Sequence, residues 1–393
     1  MTLFGLDVFL RDFPSKLKGK KIGVVCHAAS ISSSFTHILD ELEKCEKCKI
    51  GAIFGPQHGL FGQTQDNMVE WEGGTDSKRN VPVYSLYGKN RKPTPQMLCG
   101  LDALVVDLQD VGARPYTYVW TLKLCMEACV ECGIPIWVLD RPNPIGCVGF
   151  DGPMLQSEFY SFVGGATIPL CHRLTMGEMA LLMKAVFFDK ADLNIVKMEN
   201  WWRNSLWSET GLPWVMPSPN MPTLDTAIVY PGMVLLEATN ASEGRGTTRP
   251  FELFGAPYIN FEKFKKILFA HNLEGCFFRE NGFIPTFQKW HSNYCFGMQI
   301  HVTNPRVYKP VLTTAAIIDS LIKASDGEFK FKDPPYEYET VKMPFDILSG
   351  DSSLRNELTK GVGISQLPQK WSESYTQFLS RFSDIAMYPE NCK

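Results

Sequence analysis

Residues 49–67 read KIGAIFGPQHGLFGQTQDN and join a short apolar run to a polar loop. The run KIGAIF has the length and apolar content of a strand that is buried on both faces of a sheet. The loop GPQHGLFGQTQDN follows with three glycines, a proline and a histidine, at the point where a parallel strand leads into a helix. Ligands of open parallel α/β sheets bind at this end of the strands. The stretch therefore predicts a parallel sheet with a functional loop at its edge.

Further apolar runs of strand length lie nearby, namely KIGVVC (21–26), VPVYSLY (81–87), LDALVVDL (101–108) and IPIWVL (134–139). Amphipathic patterns such as SSFTHILDELEKC and YVWTLKLCMEACVEC separate some of them and indicate helices. Another helix is expected from Thr175, which has capping-box spacing to Glu178, and DLNIVKM (192–198) is expected to form one more strand. This alternation predicts an α/β fold with a parallel sheet covered by helices on both faces.

A Pro- and Trp-rich connection at 201–225 follows, and regular structure is not expected there because prolines interrupt it repeatedly. We place the domain boundary just after it, which gives an N-terminal domain of residues 1–230 and a smaller α/β domain of residues 231–393. The glycine fingerprint of nucleotide-binding Rossmann domains is missing after the first strand, and the Walker-A pattern is missing throughout. The sequence therefore gives no support for a nucleotide cofactor.

The composition is that of an ordinary globular protein and argues against several partners. The chain has 393 residues and a net charge of −3, which provides no general attraction to nucleic acid or to an anionic membrane. The N-terminal segment lacks the features of a secretory signal, and no window reaches the roughly 18 uncharged apolar residues of a membrane span. We therefore expect a cytoplasmic protein, and the oligomeric state is left open.

The chain has twelve cysteines, and these include two CxxC pairs, Cys45/Cys48 and Cys129/Cys132. Such pairs can bind zinc. Cys125, Cys129 and Cys132, however, fall on one stripe of a predicted helix, which favours reduced thiols in a reducing compartment. We expect neither a bound metal nor another cofactor.

Polar residues collect at the carboxyl ends of the predicted strands, which meet at one edge of a parallel sheet. They are His27, Gln57, His58, Asp107, Gln109, Asp110, Arg114, Asp140, Arg141 and Asn143. Later loops of the same character contribute Asn220, Glu237, Asn240, Glu243, Arg245 and Arg249. Arg245 lies between two glycines and precedes two threonines, a pattern that suits the binding of a carboxylate or phosphate group. The same pattern suits an Arg–Glu pair that braces the loop.

Six blocks of sequence carry a resemblance to a known family. They are GPQHGLFG, YSLYGKNRKPTPQML, LDALVVDLQDVGARPYTYVWTL, VLDRPNPIG, SPNMPTLDTAIVYPG and ATNASEGRGTTRPFELFGAPYI. In this order they resemble the NamZ-type exo-β-N-acetylmuramidases, which are bacterial glycoside hydrolases. The resemblance implies a Rossmann-like N-terminal domain, a smaller α/β C-terminal domain and an active-site cleft between them. It also implies release of terminal N-acetylmuramic acid from peptidoglycan fragments, so the expected partner is a small amino sugar or a muropeptide.

Within that cleft we expect substrate contacts from residues at strand ends and in the facing loops. The expected substrate-binding residues are Arg114, Tyr116, Tyr118, Asp140, Arg141, Asn143, Asn220, Glu237, Asn240 and Arg245. Arg245 is expected to bind the carboxylate of the sugar's lactyl ether, because a guanidinium makes charge-assisted hydrogen bonds to such a group.

One residue departs from the family pattern. Many members carry Glu before the His of the first block, in the motif PEHG, whereas this chain carries Gln57 before His58. An amide cannot act as a general acid or base, so another carboxyl must serve if the chain is a hydrolase. The expected catalytic residues are Asp110, Glu243, Gln57 and His58, with Asp66 and Glu70 as further candidates for the acid. An acetamido sugar can also supply its own nucleophile.

Two other functions stay open. The chain could be an amino-sugar-binding protein that kept the cleft and lost catalysis, which Gln57 favours. It could also be a hydrolase or transferase for another anionic substrate held by Arg245 and Arg114. For the leading function, a cytoplasmic location would suit the recycling of imported cell-wall sugars.

Overall fold

The computed structural model describes residues 1–66 and 68–392, and Asn67 and Lys393 lie outside the described residues. Within this part the strands are β1 (Lys21–Cys26), β2 (Lys49–Gly55), β3 (Gly74–Asp76), β4 (Val81–Ser85), β5 (Ala103–Asp107), β6 (Ile136–Leu139), β7 (Asp151–Met154), β8 (Pro169–Cys171), β9 (Leu193–Val196), β10 (Leu253–Ala256), β11 (Cys276–Phe283) and β12 (Cys295–Val302). The helices are α1 (Gly5–Arg11), α2 (Ile38–Cys45), α3 (Pro95–Leu98), α4 (Tyr118–Cys132), α5 (Met176–Phe187), α6 (Leu224–Met233), α7 (Phe261–Ala270), α8 (Pro310–Ala324), α9 (Pro344–Ser349), α10 (Ser353–Thr359), α11 (Leu367–Ser374) and α12 (Thr376–Ile385).

Seven of these strands form one sheet in the order β3-β4-β2-β1-β5-β6-β9. Neighbouring strands pair in parallel, except for β3, which runs antiparallel to β4 at the edge. The parallel strands alone have the Rossmann order 3-2-1-4-5-6. The chain crosses to the other side of β1 after β4, and ligands of such sheets bind beside this switch point. The predicted α/β class with a Rossmann-like N-terminal sheet is confirmed.

The central strands are buried on both faces, as their apolar runs predict. Alternate residues of a strand point to opposite faces of the sheet, and the core divides accordingly. Val24 and Val105 pack with residues of α1 and α2 on one face. Val25 and Val106 pack with residues of α4 and α5 on the other face. Helices therefore cover both faces, and the strand ends are left as the polar edges of the sheet.

The second half of the chain builds a smaller α/β unit on an antiparallel sheet with the order β10-β12-β11. Helix α8 is buried along most of its length, and α6 and α7 pack against it. The larger hydrophobic core runs without a break from the parallel sheet into this unit, through residues such as Phe254, Ile317 and Phe345. This shared core fixes the loops of one half against the loops of the other.

Two helices show how local sequence sets the boundaries. Helix α4 begins directly after the loop that follows β5 and buries Cys125 and Cys129 on its inner side. Helix α5 begins after Thr175, whose hydroxyl oxygen accepts the Glu178 backbone N–H in the predicted capping box. The thiols of the two CxxC pairs are unpaired. Across the described residues, the structure contains no helix of the length and apolarity that a membrane crossing requires.

Candidate active site

A cavity lies at the carboxyl edge of the parallel sheet, where loops of both halves meet. About 480 Å³ of space, open solvent included, lies between its walls. Its lining comes from the loops after β2 and β5, from the linker before α6 and from two segments of the C-terminal half. The polar and charged residues of the lining include Gln57, His58, Asn220, Glu237, Arg245 and Glu337.

The loop after β2 presents Gln57 to the cavity in a fixed orientation. The indole N–H of Trp71 donates to the Pro56 carbonyl at 2.9 Å and anchors the start of the loop. The Thr117 hydroxyl donates to Oε1 of Gln57 at 2.7 Å. Because Oε1 is the acceptor in this contact, the amide N–H₂ of Gln57 is left to donate, and it lies within hydrogen-bonding reach of the Glu337 carboxyl.

His58 lines the cavity as a neutral imidazole. Its Nδ1 lies 2.7 Å from the Thr64 carbonyl oxygen, which can only accept, so the proton sits on Nδ1 and Nε2 keeps its lone pair. Burial lowers the pKa of His58 to about 4, and the nearby Arg245 charge adds to this effect. The residue has a φ of 71°, so this turn of the loop is held in the left-handed region.

Aromatic rings form one wall of the cavity. Tyr116 and Tyr118 pack edge to face at 4.8 Å, and Tyr116 packs on Tyr230 at 5.8 Å between ring centroids. Tyr230 in turn meets Phe251 at 4.9 Å with an interplanar angle of 89°. The Tyr118 hydroxyl donates to the Pro217 carbonyl at 2.7 Å, which ties this wall to the linker. Such a rigid wall with polar tips suits a ligand that has an apolar face and hydroxyl groups, such as a sugar ring.

Arg245 and Glu237 form a buried ion pair in the lining. Arg245 Nη2 donates to Glu237 Oε1 at 2.6 Å, and the Tyr336 hydroxyl donates to Glu237 Oε2 at 2.7 Å. The guanidinium also lies over the Phe251 ring, 5.0 Å from its centroid. Its Nη1 is buried and has no hydrogen-bond partner among the described residues. Because a buried N–H without a partner is costly, this atom is a donor available to an anionic ligand group.

Glu337 enters the cavity from a tight two-residue turn. Tyr336 and Glu339 exchange backbone hydrogen bonds of 2.8 and 2.9 Å across it. The two central residues, Glu337 and Tyr338, have φ values of 43° and 68°. Such a turn normally uses Asn-Gly, since a larger residue in this conformation costs about 1–3 kcal/mol. Strain of this kind persists where the surrounding structure demands it, and it concentrates at functional sites.

The environment of Glu337 favours its neutral form. Burial raises the pKa of this carboxyl to about 7, and the Glu237 charge adds to the effect. A hydrogen bond of 3.0 Å from the Tyr87 hydroxyl opposes the shift, as do the Gln57 amide and the Arg245 charge. Glu337 is therefore partly protonated near neutral pH and can exchange a proton there.

Seven of the residues predicted from sequence share this cavity: Gln57, His58, Tyr116, Tyr118, Asn220, Glu237 and Arg245. Asn220 is held by the loop after β2, because its amide N–H donates to the Gln65 carbonyl at 2.7 Å. The other predicted site residues do not line the cavity: Asp110, Arg114, Asp140, Arg141, Asn143, Asn240 and Glu243.

The charged residues at the strand ends mostly form ion pairs or hydrogen bonds with other residues of the chain. Arg141 forms a bidentate pair with Asp107, at 2.5 and 2.8 Å, and also donates to the Ile31 carbonyl. Asp140 accepts hydrogen bonds from the Thr175 and Tyr388 hydroxyls at 2.8 and 2.6 Å. These groups lie at the predicted edge of the sheet, but their contacts hold neighbouring elements together.

Three further predicted residues brace loops, mainly through hydrogen bonds to backbone carbonyls. Arg114 is fully buried and donates to the carbonyls of Pro153, Ile168 and Leu348. Asn143 donates to the Leu174 carbonyl at 2.9 Å. Asn240 accepts the Tyr258 hydroxyl at 2.6 Å and donates to the Glu328 carbonyl. Each amide or guanidinium satisfies groups of the chain that would otherwise be buried without partners.

The two carboxyls favoured from sequence as the acid lie outside the lining. Asp110 accepts the Gly112 N–H at 2.6 Å and stands 3.6 Å from Nε2 of His172. Glu243 lies 2.5 Å from Lys289 Nζ and 3.5 Å from Arg245 Nε. Burial alone would raise the pKa of Glu243, but the Lys289 and Arg245 charges outweigh it and hold the pKa below its usual value.

The further acid candidates contact the other half of the molecule. Asp66 is hydrogen-bonded by Gln288, and Glu70 accepts the Tyr338 hydroxyl at 3.1 Å. Sequence reasoning missed Glu337, Tyr336 and Tyr87, which lie outside the strand-end pattern. A usable signal was the acid between two tyrosines after two prolines, in PPYEYE at 334–339.

Comparisons with known proteins match both halves of the chain to one family. Two family models, described as exo-β-N-acetylmuramidase NamZ, N-terminal and C-terminal, match residues 22–225 and 228–388. The peptidoglycan β-N-acetylmuramidase NamZ of Bacillus subtilis strain 168 is 41% identical over 376 residues, which cover 95% of this chain and 88% of that protein.

Two solved structures of DUF1343 family proteins from Bacteroides fragilis NCTC 9343 have the same fold. One has a TM-score of 0.87 at 28% identity and covers 98% of this chain and 99% of its own. The other has a TM-score of 0.80 at 26% identity and covers 100% of both chains.

Proposed function

Because the chain belongs to the NamZ family of exo-β-N-acetylmuramidases, we propose that it is an exo-acting glycosidase that releases terminal N-acetylmuramic acid from peptidoglycan fragments. The observation that carries this proposal is the composition of the cavity. Two carboxyl groups, Glu237 and Glu337, line it beside the Arg245 guanidinium and a wall of aromatic rings. Glycoside hydrolysis relies on carboxyl groups on either side of the scissile bond, and sugar rings pack on aromatic faces.

The shape of the cavity supports attack at a chain end. Most of its lining residues are buried, including Gln57, Asn220 and Glu337. A pocket with such walls can receive a terminal sugar, whereas an internal sugar needs a groove that is open at both ends. The proposed reaction therefore removes one sugar at a time.

Arg245 supports N-acetylmuramic acid as the terminal sugar. This sugar differs from N-acetylglucosamine by a lactyl ether that carries a carboxylate. Nη1 of Arg245, which has no hydrogen-bond partner in the described part of the chain, can donate a charge-assisted hydrogen bond to that group. Glu237 holds the guanidinium in place through Nη2 and leaves Nη1 for the ligand.

Asp110 and Glu243 have a supporting role in this proposal. Each is buried behind the lining and is engaged by neighbouring residues of the chain, Asp110 by a backbone N–H and Glu243 by Lys289. Asp140, Arg141, Arg114, Asn143 and Asn240 likewise stabilise the loops that form the site. Substrate contact is assigned to the residues that line the cavity.

We also propose that the reaction takes place in the cytoplasm and serves the recycling of imported cell-wall sugars. Interior thiols such as Cys125, Cys129, Cys171 and Cys276 are unpaired. Buried free thiols in this number suit a reducing compartment.

A sugar-binding protein without catalysis is the second candidate. Gln57 favours it, because the amide cannot transfer a proton and Thr117 holds it in place. This candidate predicts sugar binding in the same cavity without release of product.

Two oligosaccharides of equal length test the proposed specificity, one ending in N-acetylmuramic acid and the other in N-acetylglucosamine at the non-reducing end. We expect only the first to be shortened, and by one residue per event, as followed by mass spectrometry. Internal cleavage of either, or equal shortening of both, would contradict the proposed exo-muramidase.

A further inference from the structure

We propose that Glu337 is the general acid of this site and protonates the leaving oxygen of the substrate. The inference rests on the proposed function and deepens it by assigning a catalytic residue. It starts from a contrast within one hydrogen-bonded pair. Gln57 cannot donate an acidic proton, but the side chain that it contacts across the cavity is a carboxyl.

The backbone supports this assignment. The turn that carries Glu337 places two bulky residues in the left-handed region, where glycine or asparagine is usual. The chain thus keeps Glu337 at a position where a less strained residue would serve the turn better. The side chain is 5% exposed and lies in the cavity lining. A strained, buried carboxyl that faces a pocket is more easily explained by chemistry than by folding.

The second lining carboxyl is less suited to this role. Both oxygens of Glu237 already accept hydrogen bonds, one from Arg245 and one from the Tyr336 hydroxyl. Glu237 is thus held in an ion pair with the Arg245 guanidinium, at 2.6 Å. Glu337 instead accepts from the neutral Tyr87 hydroxyl, on Oε2, and lies within reach of the neutral Gln57 amide.

The groups that face Glu337 set the pH at which it can act. Glu237 raises its pKa, whereas Arg245, Tyr87 and Gln57 lower it. Tyr230 and Tyr336 also lie close but stay neutral, because burial raises the pKa of each hydroxyl well above its usual value. A substrate carboxylate bound at Arg245 would add a negative charge and favour the protonated form of Glu337 further.

In the assigned step, the bond between the anomeric carbon and the leaving oxygen breaks, and the electron pair stays on that oxygen. The oxygen takes the proton of Glu337, which becomes a carboxylate. The anomeric carbon gains its new bond from a water oxygen, and the proton released by that water returns to Glu337. The balance is the addition of one water across the glycosidic bond, with Glu337 regenerated.

Two substrates with different leaving groups test the assignment. One is a disaccharide in which N-acetylmuramic acid is β-linked to N-acetylglucosamine, whose alkoxide is a poor leaving group. The other is the 2,4-dinitrophenyl β-glycoside of N-acetylmuramic acid, whose phenolate departs without protonation. We expect Glu337→Gln to lower kcat/KM on the disaccharide by roughly 10²–10⁴-fold and on the dinitrophenyl glycoside by about tenfold at most.

The pH profile supplies a readout that a structural role would not move. With the disaccharide, wild-type kcat/KM should fall as pH rises through about 7, because Glu337 loses its proton. With the dinitrophenyl glycoside, that fall should be absent in Glu337→Gln. Glu337→Asp, which keeps an acid on a shorter side chain, should regain part of the disaccharide activity.

Asp110→Asn is the matched control, because it neutralises a buried carboxyl that lies outside the lining. Any effect of Asp110→Asn on kcat/KM should be the same for both substrates. Calorimetric sugar binding should verify that both variants fold. Equal losses on the two substrates in Glu337→Gln, or no loss, would overturn the assignment while leaving the proposed function intact. A wild type that cleaves neither substrate would overturn both.

Discussion

The Tyr87 hydroxyl donates a hydrogen bond of 3.0 Å to Oε2 of Glu337, and this bond joins the two halves of the molecule at the cavity. Tyr87 follows β4 of the parallel sheet, whereas Glu337 belongs to the C-terminal half. A donor to a carboxylate stabilises its charged form and lowers its pKa. The contact therefore tunes the proton affinity of Glu337 as well as its position.

Tyr87→Phe should move the alkaline limb of kcat/KM to higher pH. Removing the hydroxyl removes a hydrogen bond that lowers the pKa of Glu337, so the carboxyl keeps its proton further above pH 7. Tyr375→Phe is the matched control, because its hydroxyl donates to the Gly152 carbonyl outside the cavity lining. The measurement is the pH dependence of kcat/KM for wild type, Tyr87→Phe and Tyr375→Phe. An alkaline limb that does not move in Tyr87→Phe would mean that the Tyr87 hydrogen bond does not set the pKa of Glu337.

Gln57→Glu should also shift that limb upward. The substitution places a second carboxyl beside Glu337, and two adjacent carboxyls share one proton, so the upper apparent pKa of the pair rises. Gln63→Glu adds the same charge to the exposed part of the same loop and should leave the profile unchanged. A similar shift in both variants would mean that the added negative charge, and not its contact with Glu337, moves the limb.

Arg245→Ala should weaken the binding of N-acetylmuramic acid far more than the binding of N-acetylglucosamine. The loss of a charge-assisted hydrogen bond of about 1.5–3 kcal/mol corresponds to roughly a 10- to 150-fold loss of affinity for the acidic sugar. Arg249→Ala is the control, since the Arg249 side chain is 45% exposed and pairs with Glu252 at 3.4 Å. Calorimetric titration with both sugars is the measurement, and equal losses would mean that Arg245 only braces its loop.

Arg141→Ala should reduce stability. The change leaves the fully buried Asp107 carboxylate without its bidentate partner, which costs about 3–5 kcal/mol. Urea denaturation measures the loss. The double variant Arg141→Ala with Asp107→Asn should recover part of it, because the uncompensated charge is gone. An unchanged free energy of unfolding, with weakened sugar binding, would return Arg141 to the substrate-binding residues predicted from sequence.

Sequence patterns predicted the sheet well because its strands are short apolar runs without competing signals. KIGVVC forms β1 over its full length, and YVWTLKLCMEACVEC forms α4 from its first residue to its last. The strand-end rule also predicted where Gln57 and His58 lie. It could not tell which charged residues at that edge turn towards each other, as Asp107 and Arg141 do.

Glu337 could not be predicted by the same rule, because it comes from a different part of the fold. Its position depends on a turn of the C-terminal half that packs across the cavity, close to Tyr87 and Gln57. Such contacts join residues 250 or more positions apart and leave no periodic signal. The sequence therefore indicated that position 57 lacks an acid. It did not indicate that Glu337 lies beside that position.

Release of free N-acetylmuramic acid by the wild-type protein is the decisive test of the proposed glycosidase activity. The protein is incubated with the β-linked disaccharide of N-acetylmuramic acid and N-acetylglucosamine, products are quantified by mass spectrometry, and binding is measured in parallel by calorimetry. We predict that wild type, with Gln57 in place, releases both sugars in equal amounts over many turnovers. Tight binding without release, together with turnover in Gln57→Glu, would contradict the account and establish a sugar-binding protein.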